Sequence, residues 1–262
     1  MRALTTAVMG LLALAAPLPA QDARGLAFRA YEAGYFPGQD VQWEVTLEIT
    51  DRRGRVRTRR LEVIRRNVGD YQQKYYVYFY EPAAVRRTVF LVWTRGADDD
   101  DRWLYLPATD MIQRLTGRQK RNSFAGSDFT YEDVTGRHPD QDNLTLIGEE
   151  RLNGRPVWLL RGEPKDRVEF GHYELYIDRE THLPLKGNFY TPDGALHRTL
   201  TLEEWREIGG YLTPIRQKAV NHQTGSVTVA TMTNIRYDQG IPERIFEQRF
   251  LRQPPTPYIQ PR

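Results

Sequence analysis

The chain has 262 residues, with 37 basic against 34 acidic side chains, a net charge of +3 and no cysteine. Without cysteine there is no disulfide framework, so a hydrophobic core must hold the fold. The mixed charge reads as ordinary surface solvation, compatible with approach to anionic lipid head groups, and no motif points to nucleic acid.

Met1 to Ala20 reads as a secretory signal. Arg2 is its n-region charge, Leu4 to Leu18 its apolar core, and Leu18-Pro19-Ala20 ends it with a small residue at the cleavage position. That core is shorter than the roughly 20 residues needed to span a bilayer. With neither a twin-arginine motif nor a lipobox cysteine, the expected location is the periplasm of a Gram-negative cell. Asp22 to Ala33 then predicts a helix, ended by Gly34 and Pro37-Gly38.

A clean alternation follows, with Val41, Trp43, Val45, Leu47 and Ile49 on one face and Gln42, Glu44, Thr46 and Glu48 on the other. Period two over this length predicts a strand buried on one side. Asp51 to Gly54 turns the chain, and Arg57 to Arg66 returns with Leu61 and Val63 on the buried face. Lys74 to Tyr80 is aromatic on both faces, as in a central strand or one lining a cavity. Thr88 to Thr94 and Trp103 to Leu106 are further strands, separated by an acidic turn and ended by Pro107.

From Asp110 to Asp142 strand patterning lapses, which predicts short helices or an ordered lid. It resumes in the stretches 144–150, 157–162, 169–178, 183–190, 196–202, 211–221 and 227–237. Ile241 to Leu251 reads as a short helix, and 254–262 as a proline-rich, mobile tail. About eleven strand candidates with few helices predict a mainly β fold. They form one large antiparallel sheet, strongly curved or closed, in a single domain spanning 21–253.

The search for chemistry comes up short. His138, His172, His182, His197 and His222 contain no i, i+4 pair, and there is no cysteine to join them in a zinc site. The acidic run Asp98 to Asp101 lacks calcium-loop spacing and reads as a solvated hairpin tip. Gly126-Ser127-Asp128 is not a nucleophile elbow; Ser127 and Asp128 fit a helix cap or an Asx turn. Glu132 and Asp133 are sequence neighbours, which rarely face a shared gap. The expectation is a protein with no catalytic residues, no cofactor and no metal. What remains is dense aromatic content on curved strands, which enclose more volume than their own side chains easily fill.

Trp103-Leu-Tyr-Leu-Pro107, followed by Ser123-Phe-Ala-Gly-Ser-Asp-Phe-Thr-Tyr-Glu-Asp133, resembles the signature of the outer membrane lipoprotein-sorting proteins, a family similar to the LolA/LolB periplasmic lipoprotein carriers. Phe79-Tyr-Glu-Pro82, Leu183-Pro-Leu-Lys186, Phe189-Tyr190 and Asn221 to Thr224 extend the likeness. Arg87 stands where the family usually has glycine. The resemblance implies an incomplete antiparallel β-barrel wrapped over a few helices, with an apolar cavity between them. It implies a monomeric carrier of lipid or lipoprotein acyl chains. The candidate lipid-binding residues are Trp43, Val45, Leu47, Tyr78, Trp93, Trp103, Tyr105, Phe129 and Trp158. Phe124 and Tyr131 are candidate lid anchors. The alternative is an accessory subunit that carries no lipid and docks on an inner-membrane transporter.

Overall fold

The computed structural model describes residues 22–260, so the expected signal segment lies outside the described residues. It opens with helix α1, Ala23–Tyr35, which ends two residues later than expected. Asp22 caps it, its carboxylate accepting from the backbone N–H groups of Arg24 and Gly25 at 3.1 Å each. The buried face of α1, including Leu26, Ala27 and Ala30, packs on Trp158, Leu160 and Ile177.

Thirteen strands follow, all in one sheet: β1 Asp40–Thr50, β2 Val56–Gly69, β3 Gln72–Glu81, β4 Val89–Trp93, β5 Asp101–Leu106, β6 Met111–Arg114, β7 Asp142–Leu152, β8 Arg155–Pro164, β9 His172–Asp178, β10 Pro184–Tyr190, β11 Leu196–Ile208, β12 Tyr211–Asn221 and β13 Ser226–Tyr237. Their spatial order is β6-β5-β4-β3-β2-β1-β13-β12-β11-β10-β9-β8-β7. The sheet is thus two up-and-down meanders joined where β1 pairs with β13, Leu47 facing Ala230. Tight turns set the registers: Asn153 (φ 51°) and Gly154 (φ 82°) form the left-handed pair that matches strand twist between β7 and β8.

The strand count is corrected: the sheet has thirteen strands rather than about eleven. It is open, with β6 and β7 as its two edges, which excludes the closed one of the two forms the pattern allowed. The extra β6 lies in the stretch where the pattern lapsed. It is a four-residue edge strand with little buried side chain, so it carries no period-two signal.

The sheet buries both faces. Tyr75, Val77 and Phe79 of β3 point into the concave core with Val45, Leu47, Leu61, Val63 and Phe90. Tyr76 and Tyr78, between them in sequence, point outward against Ile241, Ile245, Phe246, Leu251 and Ile259. The run of aromatics in β3 is therefore a central strand covered twice. The expected helix over 241–251 is a pair of 3-10 turns, Glu243–Phe246 and Gln248–Leu251. The expected mobile tail is also corrected up to Gln260. Ile259 is fully buried, and the Tyr258 carbonyl accepts from Gln42 Nε2 at 2.8 Å. Proline richness signals an extended chain; whether it floats or docks depends on apolar residues such as Ile259 finding a face to cover.

Candidate functional site: the concave cavity and its cover

Strand alternation builds the cavity floor. Trp43, Val45 and Leu47 of β1 and Leu61 and Val63 of β2 all line it, joined by Ala230 and Met232 of β13. Tyr35, at the end of α1, and Phe124, Phe129 and Val134 close it from above. This lobe holds about 200 Å³. A second lobe of about 170 Å³ continues under α1, bounded by Ala27, Ala30, Leu175, Phe189 and Leu200. Tyr35, Phe129, Asp133, Pro184, Leu202 and Gln217 border both lobes, so the two adjoin along the concave face.

The cover is the segment between the two sheet edges. Ser127 Oγ donates to the Phe124 carbonyl at 2.6 Å and accepts from the Phe129 N–H at 3.2 Å, closing a tight turn. Asp128 ties that turn to β13: it accepts from Ser226 Oγ at 2.5 Å and Thr228 Oγ1 at 2.7 Å. Thr130 then caps the short helix α2, Tyr131–Thr135, accepting from the Asp133 N–H at 3.1 Å, while Asp133 accepts from the Thr130 N–H at 2.6 Å. Arg198 of β11 clamps the Asp133 carboxylate with both guanidinium ends. Phe124 and Tyr131 pack at 5.4 Å between ring centroids, with Tyr131 at 4.8 Å from Phe90. Gly136 follows α2 at φ 76°, where a Cβ would come within 2.7 Å of the Tyr35 ring. The sequence expected Ser127 and Asp128 to cap a helix or close a turn: Ser127 closes a turn, Thr130 caps the helix, and Asp128 bonds across to the sheet.

The carboxylates near the cavity are held by cations. Glu132 lies 3.2 Å from Arg137 and 3.5 Å from Lys120. Each acid of the Glu132–Asp133 pair thus has its own partner. The acidic run does lie at the β4–β5 hairpin tip with Asp98 and Asp99 exposed, but Asp100 and Asp101 are not simply solvated. Asp99, Asp100 and Asp101 pair with Lys120, Arg102, and Arg95 and Arg114 respectively, and burial pushes the Asp100 pKa up. No group of three or more His, Asp or Glu that could hold a metal occurs among the described residues. Arg65 is a buried cation at the cavity wall, donating to Asn67 Oδ1 at 2.6 Å and to the Pro37 carbonyl; burial lowers its pKa. Burial likewise raises the pKa of the Tyr35 and Tyr75 hydroxyls, so both stay neutral.

Of the sequence candidates, Trp43, Val45, Leu47, Phe124 and Phe129 line the cavity, and Tyr131 supports Phe124. Four others do not. Tyr78, Trp93, Trp103 and Tyr105 lie on the convex face beneath the C-terminal segment, where Trp93 Nε1 donates to the Phe246 carbonyl at 2.9 Å. Trp158 packs under α1 and stacks on His182 at 5.7 Å. Sequence reasoning passed over Tyr35, Leu61, Val63, Ala230 and Met232 as lining residues. Leu61 was findable: it faces Val45 across the β1–β2 pair, and directly opposed residues share a face.

A family model described as an uncharacterized protein matches residues 71–253. The fold is similar to a DUF1329 family protein from Desulfovibrio piger, at 29% identity over 87% of this chain and 97% of that one, with a TM-score of 0.81. It is similar to a domain from Vibrio parahaemolyticus described as an outer membrane lipoprotein-sorting protein, at 27% identity over 88% and 98% of the two chains and a TM-score of 0.82. A LolA superfamily protein from Nitrosomonas europaea shares the fold at 22% identity over 87% and 98%, with a TM-score of 0.68. A short stretch of 54 residues is 43% identical to the sigma factor AlgU regulatory protein MucB of Pseudomonas aeruginosa, covering 21% of this chain and only 17% of MucB. Matched along nearly its whole described length, the chain belongs to the LolA-like outer membrane lipoprotein-sorting protein family.

Proposed function

We propose that this protein is a periplasmic carrier that shelters lipid or lipoprotein acyl chains in its concave cavity on their way to the outer membrane. The observation that carries the reading is the cavity itself: an apolar wall from β1, β2 and β13 beneath an aromatic cover. Acyl chains in water cost about 0.8 kcal/mol per exposed CH₂, so a carrier needs a dry, apolar enclosure and no catalytic group. The outer membrane lipoprotein-sorting name of the Vibrio relative supports the same class of cargo.

Native mass spectrometry of the protein purified from periplasm, with extraction of bound material, tests this. Stoichiometric lipid or acylated protein is expected. A cavity-filling Met232→Trp and a charge-inserting Trp43→Glu are expected to lose it while circular dichroism still reports a folded sheet. Folded variants that keep full cargo would overturn the assignment of the cavity.

One observation favours a second reading. Each lobe alone is smaller than the roughly 300 Å³ at which ligand pockets begin, so the cavity must widen where the lobes adjoin to accept a chain. A protein that does not widen would act as an accessory subunit docking on an envelope transporter. Failure to bind any added phospholipid or lipopeptide would favour that role.

A further inference from the structure

The β1–β2 hairpin and the β3–β4 turn lie at one end of the sheet and together hold eight arginines. Residues 51–60 carry six of them against the single acid Asp51, and residues 81–87 add Arg86 and Arg87 against Glu81. The whole chain has a net charge of only +3, so its remainder is net acidic. Only Arg55 and Arg60 form ion pairs here, with Asp51 at 2.7 Å and Glu81 at 3.7 Å. Arg57, Arg59 and Arg86 edge a shallow groove beside Pro82. Within it the Arg59 Nε is buried without an acceptor, and Arg59 has its pKa lowered by burial and by the neighbouring Arg57 charge. Like charges crowded around an unmet donor suit an anion better than water alone.

The position of this cluster narrows the partner. Arg59 faces Leu47 across the β1–β2 pair, and Leu47 lines the cavity. Arg52 stands beside the β12–β13 turn, its Cβ 3.4 Å from where a Cβ on Gly225 would lie, next to Ser226, which anchors the cavity cover through Asp128. The arginines therefore rim the end of the cavity where the cover is tied. Val56, 59% exposed, stands among them as an apolar tip.

We propose that this rim docks the protein on an anionic phospholipid bilayer, its arginines on lipid phosphates, with this end of the cavity towards the membrane. The proposal extends the carrier reading but is measured apart from it, because vesicle docking and cargo binding are separate readouts. The test is co-sedimentation of the full protein with phosphatidylglycerol-containing vesicles and with phosphatidylcholine vesicles, at low and high salt. Binding to the anionic vesicles alone, lost at high salt, is expected. Arg53→Glu with Arg57→Glu, both exposed, is expected to weaken it about tenfold or more. Arg57→Lys with Arg59→Lys should keep most of it, and Arg206→Glu, beside the β11–β12 turn, should leave it unchanged. Equal binding to both vesicle types, or an unaffected double reversal, would overturn the proposal. So would no binding to either, which would point to an acidic protein face as the partner. Cargo found by mass spectrometry in a protein that ignores vesicles would sink this inference and leave the carrier reading standing.

Discussion

Asp178 shows how a single side chain can decide a corner of the fold. It is buried at the end of β9, and Arg155 donates to it from Nε at 2.6 Å and Nη2 at 3.2 Å. The backbone N–H and hydroxyl of Thr181 add bonds at 2.9 and 3.0 Å. Burial alone would raise its pKa, but Arg155 and Thr181 outweigh burial and pull it from 3.8 to about 2. A carboxylate whose folded pKa lies below its unfolded value stabilises the fold above the unfolded pKa, and that contribution fades as pH falls through the folded one. We expect Asp178→Asn to cost on the order of 2 kcal/mol at neutral pH. Urea melts of both proteins should converge near pH 2; a gap that persists there would show that the charge is not the source. Nothing around position 178 in the sequence marks this pair, because Arg155 lies 23 residues away on the neighbouring strand.

The cover segment is the element on which the site depends, and it has little internal regular structure. Its order comes from bonds to other elements: Asp128 to β13, Asp133 to Arg198 of β11, and Arg24 of α1 to Asp140 at 2.7 Å. Removing the two hydroxyl bonds to Asp128 should cost about 1–3 kcal/mol locally. In Asp128→Ala, amides of residues 123–135 are expected to exchange faster with solvent while those of β1 to β3 do not change. Hydrogen exchange read by mass spectrometry checks this, and uniform acceleration across the sheet would instead mean that Asp128 supports the whole fold. The aromatic motif here was legible, and Phe124 and Phe129 do reach the cavity. The partners of the motif were not, since Ser226 and Thr228 are about a hundred residues away in a run that reads only as a strand.

On the scale of the whole molecule, one sheet carries a core on each face. Concave Phe79 and convex Tyr78 are adjacent residues of β3, so neither core can come apart without disturbing the strand that both share. We therefore expect heat or denaturant to unfold the protein in one cooperative transition, as a single domain. Near-ultraviolet circular dichroism reports Trp93 and Trp103 on the convex face and Trp158 beneath α1, in the other meander; far-ultraviolet reports the sheet. Their midpoints should coincide. Separate midpoints would mean that the two meanders, whose strands pair with each other at β1 and β13, unfold apart.

The sequence by itself determined that the protein is mainly β, where most strands run and which side of β1 faces inward. Those properties are local: period two, turn residues and proline breaks are written within a few positions of one another. It also held the aromatic motif and the family likeness built on it. Only the tertiary structure decided which aromatic residues face the cavity. Trp43 and Trp103 read alike as large apolar residues on strands, yet one lines the cavity and the other lies under the C-terminal segment. That choice depends on what covers each face, and the cover comes from far along the chain: Phe124 and Phe129 over Trp43, and Ile241 to Ile259 over Trp103. The open edge at β6 and β7 is of the same kind, because closure is set by the register accumulated over thirteen strands and not by any single pair.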